Sequence, residues 1–326
     1  MDYNFNKSSY TIALVLFSLV SFNAFAQKEP QYTQYMYNIG SFNPAYVGTV
    51  ETPELSGLYR AQWIDIPGAP RTFRFGANLP FKNEKVGLGL NIVNDELGPA
   101  TQTYADISYS YQIMVTDDTK LSFGIDAGGS FLNVDFSKGT FENPGENLNE
   151  EMLSKFYPTV GAGAFLYSED WYLGASVPNF LTEGVYNDEV ASIIEDKLQF
   201  NFIGGYVFEL SENLKFKPAF LVNTISGSPV NVNLSGNFLI SDVVTAGVSY
   251  RLENAFSGLA GFQISNQLFS GYSYDYNTNL LGEFNNGSHE IILKFYLGRK
   301  GPSKSKGNSD KNAKGKPKQI DSPRFF

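Results

Sequence analysis

The one histidine of this chain, His289, stands between Ser288 and Glu290, so any chemistry that uses an imidazole must be built around that single position. A histidine-rich metal site is excluded by count, and a thiolate site by the absence of cysteine. Paired carboxylates occur at Asp117-Asp118 and Glu150-Glu151, but both pairs fall in connections, where solvated charge is the simplest role. The stretch from Gly124 to Gly129 lacks the Lys-Ser/Thr of a phosphate loop, and its glycines lie within a strand-like alternation. The reading is a non-enzymatic chain with no catalytic, cofactor-binding or metal residues. His289 then serves as a hydrogen-bonding residue at the entrance to a strand.

The residues that could engage a partner are carried on segments that alternate apolar and polar positions. Thr72 to Leu79 sets Phe73, Phe75, Ala77 and Leu79 on one face, with Thr72, Arg74, Gly76 and Asn78 on the other, because successive side chains of a strand point to opposite sides. Val86/Leu88/Leu90/Ile92 oppose Gly87/Gly89/Asn91, and Leu121/Phe123/Ile125 oppose Ser122/Gly124/Asp126. The polar faces also collect Arg60, Asp106, Arg251, Asp275, Glu290 and Lys294. Unpaired charge in a dry core costs several kcal/mol per group. That many charges therefore suit a wet or ion-paired lumen, with the apolar faces turned to lipid.

Fourteen such segments are predicted: 55–63, 72–79, 86–93, 101–111, 120–132, 156–167, 171–178, 197–208, 214–222, 231–239, 243–251, 258–265, 269–276 and 288–297. The odd-numbered connections come out longer, above all the fifth and seventh, while the even-numbered ones from the sixth onward are short. Short periplasmic turns, longer external loops and an even strand number describe outer-membrane barrels. Closing the sheet removes edges that lipid cannot satisfy. The expected fold is all-β: a closed antiparallel transmembrane barrel of about 14 strands, spanning 55–298, with both chain ends in the periplasm.

The ends differ from the body. Lys7, the apolar run from Thr11 to Phe22, and Ala24-Phe25-Ala26 describe a secretory signal peptide over 1–26, cleaved between Ala26 and Gln27. That run falls short of the ~20 residues a membrane-spanning helix needs. Residues 27–54 are polar and aromatic with turn chemistry, and form either a periplasmic arm or a plug within the lumen. Residues 299–326 carry a net charge of +7 on an otherwise acidic chain and lack the apolar residues for a core. They read as a disordered Lys-rich periplasmic tail able to engage an acidic surface such as peptidoglycan or a partner. A basic cluster in that compartment argues against nucleic acid as a partner.

Several strings, in order, resemble the PorP/SprF family of Bacteroidota outer-membrane proteins. The opening block is Gln34-Tyr35-Met36-Tyr37-Asn38 followed by Asn43-Pro44-Ala45 and Gly48. Arg60-Ala61-Gln62-Trp63 then precedes Pro67-Gly68-Ala69-Pro70, and the closing strands carry Tyr274-Asp275 and Ser288-His289-Glu290. The resemblance implies a type IX secretion component that supports export or surface attachment of a cognate, adhesin-like cargo and, in some bacteria, gliding motility. The partners it implies are a secreted cargo with a C-terminal sorting domain and periplasmic ring proteins or their lipoprotein, in a setting of outer-membrane lipid. The family-motif residues it singles out as interaction candidates are Gln34, Tyr35, Asn43, Pro44, Ala45, Arg60, Gln62, Trp63, Pro67, Gly68, Pro70, Tyr274, Asp275, His289 and Glu290. An alternative from the strand count and the Asn-Pro-Ala segment is a FadL-like transporter of hydrophobic small molecules, which requires an apolar, ligand-sized cavity beneath a plug.

Overall fold

The computed structural model describes residues 31–81, 85–135, 137, 152–181 and 197–298. The predicted signal peptide with its Ala26–Gln27 junction and the Lys-rich tail lie outside the described residues. Alternation is enough to build the sheet. β1 (Glu54–Ala61), β2 (Arg71–Pro80), β3 (Val86–Leu97), β4 (Ala100–Thr116), β5 (Thr119–Asp135), β6 (Met152–Tyr167) and β7 (Trp171–Val177) follow one another as antiparallel neighbours. β8 (Gln199–Tyr206) and β9 (Phe208–Ser211) are two parts of one stave, interrupted at Val207, and both pair with β10 (Leu214–Ile225). β11 (Asn231–Ile240), β12 (Val244–Arg251), β13 (Ala255–Ser265), β14 (Leu268–Asn277) and β15 (Ser288–Tyr296) complete the circuit. β15 pairs with β1 from Glu54↔Tyr296 to Ala61↔His289, so the sheet closes as a fourteen-stave barrel.

The faces fall as the alternation requires. Phe73 is 51% exposed while Arg74 beside it is 4% exposed. Phe123, Ile125, Leu234 and Val248 face outward, and Ser122, Asn233 and Ser249 face inward and are buried. An exposed apolar belt around a polar interior is the arrangement a bilayer imposes. The molecule contains no helix long and apolar enough to cross a membrane among the described residues; it crosses with strands.

Two expectations need correction. The third and fourth connections are not loops of seven or eight residues: β3 and β4 are joined by Gly98-Pro99, and β4 and β5 by Asp117-Asp118. The strands run on past the points where alternation fades, because backbone pairing with a neighbour holds a segment extended whatever its pattern. Long and short connections therefore do not alternate strictly; the odd-numbered connection between β12 and β13 is also only 252–254. The second correction concerns the lumen. It is not lined by polar groups throughout, since Leu58, Phe165, Tyr172, Ile203, Leu221, Phe269 and Ile292 point inward and are buried.

These inward apolar residues pack on the chain that precedes β1. Residues 31–53 form three short 3-10 turns, η1 (Tyr35–Tyr37), η2 (Ile39–Ser41) and η3 (Pro44–Tyr46), inside the barrel. Tyr32, Tyr35, Met36, Tyr37, Ile39, Phe42 and Tyr46 join the inward apolar residues in one core cluster. Tyr46 meets Phe165 edge-on at 5.5 Å and Tyr37 meets Phe269 at 5.2 Å. The barrel thus has two apolar surfaces, one for lipid and one for its own N-terminal segment.

Candidate functional site

The inner segment is held at two ends by different chemistry. At its start, Arg60 of β1 lies directly across from Glu290 of β15, with Asp275 on the adjoining β14. Arg60 pairs with Asp275 at 2.7 Å and with Glu290 at 3.0 Å, and all three side chains are essentially buried. Glu290 also accepts the backbone N–H groups of Thr33 (2.9 Å) and Gln34 (2.8 Å). The Thr33 hydroxyl donates to Asp275 at 2.7 Å, and Arg60 Nη1 donates to Thr33 Oγ1 at 3.0 Å. A guanidinium shared by two carboxylates is a strong, geometrically defined arrangement. Here the oxygens left over are spent on the incoming chain.

The second attachment is steric and backbone-directed. Asn43 caps η3 by accepting the Ala45 N–H, with Pro44 at the first helical position, where no N–H is needed. Its side-chain amide donates to the carbonyls of Ala164 (3.0 Å) and Ala175 (3.3 Å) on β6 and β7. Approach this close requires a wall without side chains. A Cβ on Gly124 would collide with the backbone of Pro44 and Ala45, and one on Gly163 with the Asn43 side chain. Farther along, Gly48 donates its N–H to Asn78 and accepts from Gln112, both at 2.7 Å. Between the two ends, the Tyr35 hydroxyl donates to the Ala219 carbonyl at 2.8 Å beside Ser235. Burial pushes this phenol above its ordinary range, against the opposing effect of the Ser235 hydrogen bond, so the donor keeps its proton.

The family-motif residues separate into three places. Gln34, Tyr35, Asn43, Pro44, Ala45, Arg60, Asp275 and Glu290 meet inside the barrel. Gln62, Trp63, Pro67, Gly68 and Pro70 form the β1–β2 connection at one rim of the barrel. There Gly68 at φ +74° accepts the Gly98 N–H, and Trp63 donates its N–H to Ser288 Oγ at 3.2 Å. Backbone bonds Ile64 to Gly287 and Asn286 to Ile64 tie this connection to the one before β15, across the closing seam. His289 and Tyr274 lie on the outer face. His289 Nδ1 hydrogen-bonds the Tyr272 hydroxyl at 2.7 Å, and its ring is 5.2 Å from that of Tyr274. The adjacent letters of Ser-His-Glu therefore serve rim, exterior and lumen in turn. Thr33 and the wall glycines were not singled out by the sequence reading. Glycines recurring on the polar face of strands were the available signal.

A closed barrel with an apolar belt around a buried polar and plugged interior is an outer-membrane β-barrel protein. Its family model, described as type IX secretion system membrane protein PorP/SprF, matches residues 24–295. The chain belongs to the PorP/SprF family, and it is an outer-membrane component of type IX secretion. No curated protein matches it. Among solved structures, the CymD monoaromatic hydrocarbon channel is 11% identical, with a TM-score of 0.50 over 84% of this chain and 95% of that one. A Pseudomonas aeruginosa FadL homologue is 12% identical (TM-score 0.44; 82% and 95% covered), and Acinetobacter baumannii Omp33 is 9% identical (0.40; 77% and 100%). At these identities the likeness is one of fold alone.

Proposed function

We propose that the protein supports export or surface attachment of one cognate cargo, adhesin-like and bearing a C-terminal sorting domain. It acts as a scaffold rather than as a transporter of hydrophobic small molecules, and it also serves gliding motility where the cargo is a motility adhesin. The observation that carries this reading is the filled lumen of a type IX family barrel: residues 31–50 are almost wholly buried within it. The FadL-like alternative asks for an apolar, ligand-sized cavity. One cavity between the inner segment and β1–β4 measures about 20 Å³ and is lined by Asn38, Glu54, Arg74, Asn78 and Asn91 among others, room for about one water molecule. That size favours the scaffold.

The surfaces left for partners are the rim connections outside and the chain ends in the periplasm. Ring proteins or their lipoprotein would meet the second of these, with the tail 299–326 adding attraction to an acidic surface and the mature chain beginning at Gln27. Deleting the gene should remove a defined surface protein from intact cells without raising sensitivity to large antibiotics. Retention of the full surface profile would refute the assignment.

A further inference from the structure

We propose that the Arg60–Asp275–Glu290 cluster is a releasable latch, and that the lumen opens by withdrawal of residues 31–36 while residues 43–50 stay fixed. The two attachments differ in kind. Asn43 to Ala45 are seated against glycines whose backbone they touch, and the neighbouring turns are bound to strand carbonyls and amides on β2, β4, β6 and β7. Close packing of Pro44 and Ala45 on Gly124, and of Gly48 on Gly87, is backbone against backbone and is added there to the side-chain bonds of Asn43, Asn78 and Gln112.

The other end is held by rotatable carboxylates. Glu290 takes two consecutive backbone N–H groups and Asp275 takes one hydroxyl, and both carboxylates keep Arg60 as a partner when the segment leaves. The charges are therefore paired in both states, which removes one penalty against opening, isolated buried charge; what remains is the exposure of Tyr32, Tyr35 and Met36 and the Tyr35 hydroxyl bond. The wall around the latch carries Ser273, Asp275, Ser288 and Glu290 beside Arg60 and Thr72, next to the inward apolar residues Leu58 and Ile292 of the core cluster. Water and hydrophilic solutes would enter along the polar part of that wall.

The chain has no cysteine, so engineered pairs report cleanly. Full-length protein is reconstituted in planar phosphatidylcholine bilayers and its conductance recorded. The latch variant E290Q should open at least ~10-fold more often than wild type, because a neutral amide holds the two N–H groups less strongly than a carboxylate. Adding Q34C and G271C, at the positions where the Gln34 side chain reaches the β14 wall, should close the E290Q channel on oxidation and reopen it on reduction. Where E290Q does not assemble a heat-modifiable barrel, T33V is used instead; it removes the hydroxyl contacts from the segment alone and should raise opening several-fold. Assembled barrels of E290Q or T33V as silent as wild type, or openings that persist through the oxidised crosslink, overturn the latch.

Discussion

At the residue scale, one arginine binds two carboxylates, and the two carboxylates bind a peptide. Replacing Arg60 by Met leaves Asp275 and Glu290 facing each other, and loss of one partner of such a buried set costs about 3–5 kcal/mol. Denaturant unfolding of the folded barrel in vesicles should show a drop of that order, with Arg60→Lys intermediate. Tyr35 makes a different prediction. Its phenol is favoured in the neutral form by burial, so its contribution is complete below the ordinary tyrosine value of about 10 and is lost as pH rises beyond it. Tyr35→Phe should cost about 1 kcal/mol at neutral pH, the net worth of one hydrogen bond, and flatten the alkaline decline in a pH series of unfolding curves. Asp275 and Glu290 were legible in the sequence as inward charges on strands. Thr33 was not, because its backbone N–H leaves no trace in side-chain pattern and one hydroxyl in a polar, aromatic segment does not stand out.

At the element scale, the staves are simple and the connections carry the information. Val248 sits outward near the middle of β12, so Val248→Arg should cost about 2–4 kcal/mol in a bilayer. The same measurement on an arginine placed in an exposed connection should show almost no loss. Sidedness is testable separately. An epitope inserted between β14 and β15, near residues 279–285, should be reached by antibody on intact cells, and one in the Ser168–Asp170 turn should be hidden until the outer membrane is opened. The sequence located all fourteen staves, since each has one lipid-facing row and lipid tolerates few exceptions. It misplaced the ends of β3, β4 and β5, where pairing outlasts the pattern. It also took the inner faces as uniformly polar, and Leu58, Tyr172 and Ile292 show why: lumen positions answer to what fills the barrel, and the filling comes from 31–53. An aromatic segment with Asn-Pro-Ala next to a glycine-rich barrel was the visible half of that interaction.

At the scale of the whole molecule, an acidic body is joined to a basic tail. Such attraction is screened beyond about 8 Å at physiological ionic strength. Removing 299–326 should therefore weaken retention of the protein on peptidoglycan at low salt and make no difference at high salt, as read by sedimentation with purified sacculi. The account as a whole rests on which face of the cylinder meets lipid. Spin labels placed one at a time along 233–238 of β11 test this directly, through their accessibility to oxygen dissolved in the bilayer and to a water-soluble nickel reagent. Labels at 234 and 238 should respond to oxygen, and those at 233, 235 and 237 should be shielded from it, with a period of two residues. Oxygen reaching 233, 235 and 237 instead, or no alternation at all, would contradict the barrel as it is described.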